Sequence, residues 1–175
     1  GQYNTAIGKD AGKAITTANY NVFVGSWAGD AATAGGYNVA VGHQAFSDAS
    51  SDSNHTIAIG YQAGKAITSG DGNIMIGASA GSVTTDVDKT VVIGQSAGMG
   101  NMTAAADGLI AIGYQAMKVH TTGARNIAIG YNAMSDTDAG STSLGSGDNI
   151  FIGYSAGSGT WTDAATNGNV GIGSY

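Results

Sequence analysis

The sequence contains no cysteine, proline or glutamate, and only 10% of its 175 residues are charged. Without cysteine the chain can form neither disulfides nor thiolate metal sites, so its redox compartment is left undetermined. The net charge is −6 and the six Lys and Arg residues are scattered, which argues against a surface that follows nucleic-acid phosphates. No apolar run approaches the roughly 18 residues that a membrane-spanning helix needs. We therefore expect no nucleic-acid partner and no membrane insertion.

Glycine, in contrast, is abundant and periodic. The chain has 30 glycines, and ten of them follow an Ile or Val at intervals of about 17 residues. These ten repeat glycines are Gly8, Gly25, Gly42, Gly60, Gly77, Gly94, Gly113, Gly130, Gly153 and Gly173. A unit of this length is too short for a strand, a helix and two turns, and a glycine in every unit opposes helix. The period therefore predicts one coil of a β-solenoid for each unit.

Two columns of mainly β-branched residues stand one and three positions before the repeat glycine. This spacing places both side chains on one face of a strand, and β-branched residues favour strands. We expect this face to fill the interior of the coil. The predicted coil core includes Ile57, Ile59, Ile74, Ile76, Ile110, Ile112, Ile127 and Ile129.

The residue two before the glycine lies between those columns and is never polar in ten units. If the β-branched columns point inward, this residue points outward, and an apolar outward column needs a cover. Another copy of the chain is the simplest cover, so we expect a homo-oligomer. The predicted inter-chain contacts are Phe23, Ala58, Met75, Val92, Ala128 and Phe151.

Two further columns support a repeating coil with variable corners. An alanine stands three residues after the glycine in nine units, which indicates a close contact, and an asparagine stands four before it in seven. Asparagine suits a corner and its amide can bond from coil to coil. We predict an all-β fold: a parallel β-solenoid (β-roll) of ten coils of about 17 residues, forming a single domain over residues 1–175 that belongs to a longer fibre.

The repeat resembles known fibre proteins. "NTAIGKDAG" at Asn4 and "NIAIGYNAM" at Asn126 are similar to the head repeats of trimeric autotransporter adhesins, and more so to repeat arrays of bacteriophage tail fibres. The resemblance implies a left-handed parallel β-roll that associates as a homotrimer. This chain differs from the adhesin pattern in its longer coils and in showing no stalk, neck or membrane anchor, and these absences favour the phage fibre.

Three segments match the hydrolase pattern G-x-S-x-G, at Gly77, Gly94 and Gly153. The serine, however, occupies a column that also contains Asp, Trp, Gln and Asn, and both glycines and the alanine are repeat positions. We therefore expect no catalytic residue and no cofactor.

Other features leave alternatives open. Asp-rich corners at residues 47–55, 86–89 and 135–140 could bind Ca²⁺ or could be solvated turns. Four tyrosines directly follow a repeat glycine and could bind sugars or stack on one another: Tyr61, Tyr114, Tyr131 and Tyr154.

Trp161 lies in a long insertion and is a candidate surface contact. A column of Thr and Ser eight residues after the glycine is typical of ice-binding solenoids or of ordinary turns.

The function expected from the sequence is structural and adhesive. We predict an extracellular segment of a trimeric fibre on a virion or a bacterial surface, which supports binding to a cell-surface glycan or protein receptor. A bacterial adhesin head and a single-chain ice-binding solenoid are the alternatives.

Overall fold

The computed structural model describes residues 1–48, 53–136, 145–159 and 166–174. Within this part of the chain it contains ten three-residue strands and one 3-10 turn, Ala104–Ala106. The strands are β1 (Thr5–Ile7), β2 (Val22–Val24), β3 (Val39–Val41), β4 (Ile57–Ile59), β5 (Ile74–Ile76), β6 (Val91–Ile93), β7 (Ile110–Ile112), β8 (Ile127–Ile129), β9 (Ile150–Ile152) and β10 (Val170–Ile172).

The ten strands form one parallel sheet in which every strand pairs with its neighbours in sequence. The pairing keeps equivalent repeat positions opposite each other, as in Ala58 opposite Met75 and Ile59 opposite Ile76. Each strand ends at its repeat glycine, where the chain turns. The prediction of an all-β parallel β-solenoid is confirmed.

The prediction of which strand face points inward is wrong. The residues expected to lie outside fill the coil, because Phe23, Ala58, Met75, Val92 and Ala128 have no exposed surface and Phe151 is partly buried against the same core. We call this the inner column: the residue two before each repeat glycine. None of the Ile residues expected to form the core is fully buried, and they lie on the opposite face, namely Ile57, Ile59, Ile74, Ile76, Ile110, Ile112, Ile127 and Ile129.

The narrow interior of the coil explains this reversal. Phe23 lies so close to Gly29 that a Cβ built on that glycine would be 2.7 Å from the ring. The largest inner-column residues have small neighbours: Phe23 has an alanine in the adjacent strand on each side. Two β-branched side chains in every coil would overfill such a space, and overpacking destabilises a core.

The buried asparagine column completes the interior. Asn38 is fully buried: its amide Nδ2 donates to the carbonyl of Ser53 at 2.8 Å, and its Oδ1 accepts the backbone N–H of Thr56 at 2.9 Å. The expected coil-to-coil bonding by asparagine is thus confirmed. Because side chains alternate along a strand, an inward Asn four before the glycine requires the residue two before it to point inward as well.

The backbone at the repeat glycine explains why no other residue occurs there. All ten repeat glycines have φ between 131° and 139°, a region that L side chains rarely adopt. At Gly77 a Cβ would lie 2.6 Å from the carbonyl oxygen of Gly94 in the next coil. The glycine therefore permits both the turn and the close stacking of coils.

Candidate interaction surface

The outward side of the sheet is an apolar face. We call the residues one and three before each repeat glycine the outer columns, and the side of the sheet that they form the outer face. They are Thr, Val or Ile in every coil. None of them is buried, and Val22 and Ile59 remain 38% and 37% exposed although the chain stacks on both sides of them. Nothing within the described chain covers this face.

Aromatic side chains line one border of the outer face. The trailing column is the residue directly after each repeat glycine, and its rings stack from coil to coil. Ring centroids are 5.0 Å apart for Tyr114 and Tyr131, 5.2 Å for Tyr131 and Tyr154, and 5.7 Å for His43 and Tyr61. Stacked rings cover each other's faces, so this geometry supports the stacking interpretation over a sugar-binding one.

A second aromatic ladder, not predicted from the sequence, lies along the opposite border of the outer face. The leading column is the residue five before each repeat glycine. Tyr3, Tyr20, Tyr37 and His55 stack there in succession, with centroids 4.9, 5.0 and 5.1 Å apart. Their shared distance from the repeat glycine was a usable signal. It was hidden because the column changes to Gly72, Lys89, Gly108 and Arg125 in the later coils.

The later part of the leading column contains an ion pair. Arg125 donates from Nε to Oδ1 of Asp148 at 2.6 Å and from a terminal nitrogen to Oδ2 at 2.8 Å. These hydrogen bonds lower the pKa of Asp148. The stabilisation is therefore present above the ordinary pKa of an aspartate and is lost as the pH falls through the lowered one. Both groups are exposed, so solvent screens the pair within a single chain.

The Asp-rich corners tie successive coils together. Oδ1 of Asp71 accepts the N–H of Asn54 at 2.6 Å, Oδ1 of Asp88 accepts that of Asp71 at 2.7 Å, and Oδ1 of Asp107 accepts that of Asp88 at 2.8 Å. In the described ranges no group of three or more His, Cys, Asp or Glu residues could hold a metal ion. Residues 49–52 and 137–140 of the predicted corners lie outside those ranges. The contacts favour the solvated-turn interpretation.

The three serines of the G-x-S-x-G segments have a structural explanation. Ser79, Ser96 and Ser155 have φ values of 57°, 56° and 52°, and the equivalent residue has a positive φ in every coil that reaches this position. The N–H of Ser96 donates to the carbonyl of Ala78 at 2.9 Å, so the turn is part of the coil-to-coil ladder. The histidines engage other groups: His43 stacks on Tyr61, His55 stacks on Tyr37, and His120 is buried beside Gly123.

This backbone conformation predicts a stabilising substitution. Replacing Ser96 with Asn is expected to raise the stability by about 0.5 kcal/mol, because Asn tolerates the left-handed region better than Ser. Thermal denaturation of the variant and the parent chain measures this gain. Ester hydrolysis is measured in parallel, and an activity that is present in the parent and lost in the variant would restore the catalytic interpretation.

The threonine column is engaged in hydrogen bonds at several coils. The hydroxyl of Thr16 donates to the carbonyl of Thr33 at 2.9 Å, and that of Thr68 to the carbonyl of Thr85 at 3.1 Å. Hydroxyls that satisfy the backbone in this way are less available to order water on a flat surface. The contacts thus favour ordinary turn chemistry for these residues.

Trp161, the candidate surface contact, lies outside the described residues. Among the described residues, no helix is long and apolar enough to cross a membrane.

No family model matches the chain, and neither curated proteins nor solved structures give a match. The outer face and its two borders are therefore the features of this chain that indicate a function.

Proposed function

We propose that this chain is a structural and adhesive segment of an extracellular trimeric fibre, in which three copies bury their outer faces against one another. A phage tail fibre that supports attachment to a host receptor is the form we favour, on the wording of the repeat. A bacterial adhesin head would use the same assembly. In either case the function is mechanical, because hydrogen-bonded ladders that repeat along the solenoid make a stiff rod.

The uncovered outer face supports this proposal most directly. Nine steps of about 4.8 Å and a width of about 15–20 Å between the leading and trailing columns give a face of roughly 650–850 Å². A stable protein interface buries about 800 Å² on each partner. Apolar patches this large on soluble proteins mark interaction sites. Burial of the outer face between copies is therefore sufficient for a stable assembly.

The width of the face favours three copies. Three flat faces of about 15–20 Å that close into a triangular prism place each backbone about 4–6 Å from the central axis, close to half of the roughly 10 Å at which sheets pack. Val and Ile side chains fill this distance. Four faces would place the backbone about 8–10 Å from the axis and leave a channel lined by apolar groups, with no partner atoms for them.

The assembly is tested by its mass in solution. Light scattering is expected to give about three times the 17.2 kDa of one chain. Replacing both Ile110 and Ile127 with Lys is expected to dissociate it, because three copies would bring six charges to the apolar axis. The two residues lie on the outer face, so circular dichroism is expected to show that each chain remains folded.

A matched control uses the same change elsewhere. Val83 is 46% exposed in a connecting segment, away from the outer face. Replacing Val83 with Lys is expected to leave the mass unchanged. A parent chain that is a stable monomer would contradict the proposed assembly and would favour the single-chain ice-binding alternative, for which thermal hysteresis is the direct measurement.

Adhesion through the fibre would be multivalent. Three copies present each corner three times, so a weak contact with a cell-surface glycan or protein gains from a high effective concentration. Binding of the assembled chain to host cells, compared with the Ile110 and Ile127 double variant, tests this part. Equal binding by both would show that adhesion does not need the assembly.

A further inference from the structure

The leading and trailing columns border the outer face at a constant separation of six residues. Both columns are exposed in the middle coils, where His55, Tyr61, Tyr114, Arg125 and Tyr131 all point to solvent. The pairs of leading and trailing residues, coil by coil, are Tyr3 and Lys9, Tyr20 and Ser26, Tyr37 and His43, His55 and Tyr61, Gly72 and Ala78, Lys89 and Gln95, Gly108 and Tyr114, Arg125 and Tyr131, Asp148 and Tyr154, and Gly168 and Ser174.

The symmetry of a closed ring brings these two borders together. When identical copies stand in the same direction around an axis parallel to the solenoid, rotation places the leading border of each copy beside the trailing border of the next. Because rotation leaves every copy at the same height along the axis, residues from the same coil of each copy meet. The corner between two copies is then built from the pairs above, with the leading residue from one chain and the trailing residue from another.

We propose that copies of this chain associate in the same direction and in register, with the leading column of each copy packed against the trailing column of its neighbour. This inference rests on the proposed function, since it specifies how the three copies meet. It assigns Arg125, Asp148, Tyr131 and Tyr154 to the contact between chains, where they replace the outward contacts expected from the sequence.

The chemistry of the paired residues supports this contact. Tyr131 would meet Arg125 of the next copy, whose guanidinium is already held by Asp148 at 2.6 Å, and a guanidinium over a tyrosine ring is a favourable cation–π contact. Tyr3 would meet Lys9, whose ammonium lies 5.2 Å from the centre of the Trp27 ring in its own chain.

The size and polarity of the paired residues also support this contact. The phenol of Tyr154 would donate a hydrogen bond to the carboxylate of Asp148, which accepts without a proton of its own. In the described coils a tyrosine in one column never coincides with a tyrosine in the other. Tyr114, for example, would meet Gly108, where a ring has room.

An antiparallel pair of chains is the alternative packing. It would reverse the order of coils and place leading columns opposite each other, so that Tyr37 in the third coil would meet Arg125 in the eighth. Both arrangements bury the outer face, but they bring different residues within reach. This difference makes the direction of the copies measurable.

The absence of cysteine makes cross-linking specific. One variant combines Arg125→Cys with Tyr131→Cys, and the other combines Tyr37→Cys with Arg125→Cys. Within one chain the two positions lie about 15–20 Å apart across the outer face in the first variant and about 24 Å apart, five coils of about 4.8 Å, in the second, so a short bismaleimide does not join them. The assembled proteins are treated with a short bismaleimide and separated under denaturing conditions.

The parallel arrangement predicts that the Arg125 and Tyr131 variant migrates mainly as a covalent trimer and the Tyr37 and Arg125 variant as a monomer. Each single-cysteine variant is expected to remain a monomer, and an equal mixture of the Arg125→Cys and Tyr131→Cys single variants to give dimers. A second pair, Asp148→Cys with Tyr154→Cys, repeats the measurement one coil further along, in case the first pair perturbs the ladder.

Several outcomes would overturn the inference, and they differ from failure of the proposed function. Cross-linking of Tyr37 to Arg125 would show antiparallel copies. A trimeric mass by light scattering without cross-linking of either leading-to-trailing pair would keep the assembly and reject this contact. A monomeric mass would reject both the assembly and the contact.

Discussion

Replacing Gly77 with Ala is expected to lower the free energy of unfolding by about 4 kcal/mol, from backbone strain and the loss of coil-to-coil hydrogen bonds. Gly77 has a φ of 131°, where a side chain is strained. Its new Cβ would also lie 2.6 Å from the carbonyl oxygen of Gly94, which is backbone and must move. Such a movement weakens the hydrogen bonds from the N–H of Gly94 to Ile76 at 2.7 Å and from Ser96 to Ala78 at 2.9 Å.

Gly72 provides a matched control in the same coil. It also has a positive φ, 69°, but a Cβ there would meet only the side chain of Lys89, at 3.8 Å. Other coils carry tyrosine, histidine, lysine or arginine at the equivalent position with similar backbone angles. Replacing Gly72 with Ala is therefore expected to cost about 1 kcal/mol or less.

Chemical denaturation of both variants and the parent chain measures the difference between these two glycines. The measurement is best made at one fixed chain concentration, because assembly contributes to apparent stability. Equal losses for the two variants would show that backbone strain alone matters. The close approach of Gly77 to Gly94 would then have no energetic role.

Replacing Asn126 with Ala is expected to lower stability by about 3–5 kcal/mol, because buried polar groups lose their partners. Asn126 is fully buried, and its Nδ2 donates to the carbonyl of Ser146 at 2.7 Å. Its Oδ1 accepts the backbone N–H of Asn149 at 3.0 Å. Alanine leaves the carbonyl and the N–H without these partners inside a coil that has no room for bulk water.

Asn19 is the control for this substitution. It also accepts a backbone N–H from the neighbouring coil, that of Gln2 at 2.6 Å, but this bond is exposed to solvent. Water can replace an exposed partner, so Asn19→Ala is expected to cost about 1 kcal/mol or less. A loss at Asn126 no larger than at Asn19 would contradict the role of the buried asparagine column in joining the coils.

The buried asparagines explain why the sequence alone led to the wrong inward face. Asn38 and Asn126 lie two residues before Ala40 and Ala128, so each Asn and the following inner-column residue point the same way. Had that relation been used, the inward direction of Ala58 and Ala128 would have followed from alternation alone. Side-chain size is a second signal, since a column made mostly of Ala, with a few Phe, Met and Val, is typical of a narrow interior.

The two faces of a short strand are otherwise hard to distinguish. Both columns around Ala58 and Ile59 are apolar, so hydrophobicity does not indicate which one is buried. The prediction of an uncovered apolar face does not depend on which face is inside, because one apolar face lies outside in either case. The structure changes the residues of that face, from a single column with Ala, Phe and Met to the paired Val and Ile columns.

The sequence by itself determined the architecture of this chain. Repeat glycines at intervals of 17–23 residues, each preceded by two mainly β-branched columns, specify stacked parallel strands because only equivalent positions can pair in register. Tertiary structure decided which side chains enter the coil, since the limited space beside Gly29 and the buried amide of Asn38 exist only once the coil closes. It also brought Tyr3, Tyr20 and Tyr37, which lie 17 residues apart in sequence, into one ladder beside the outer face.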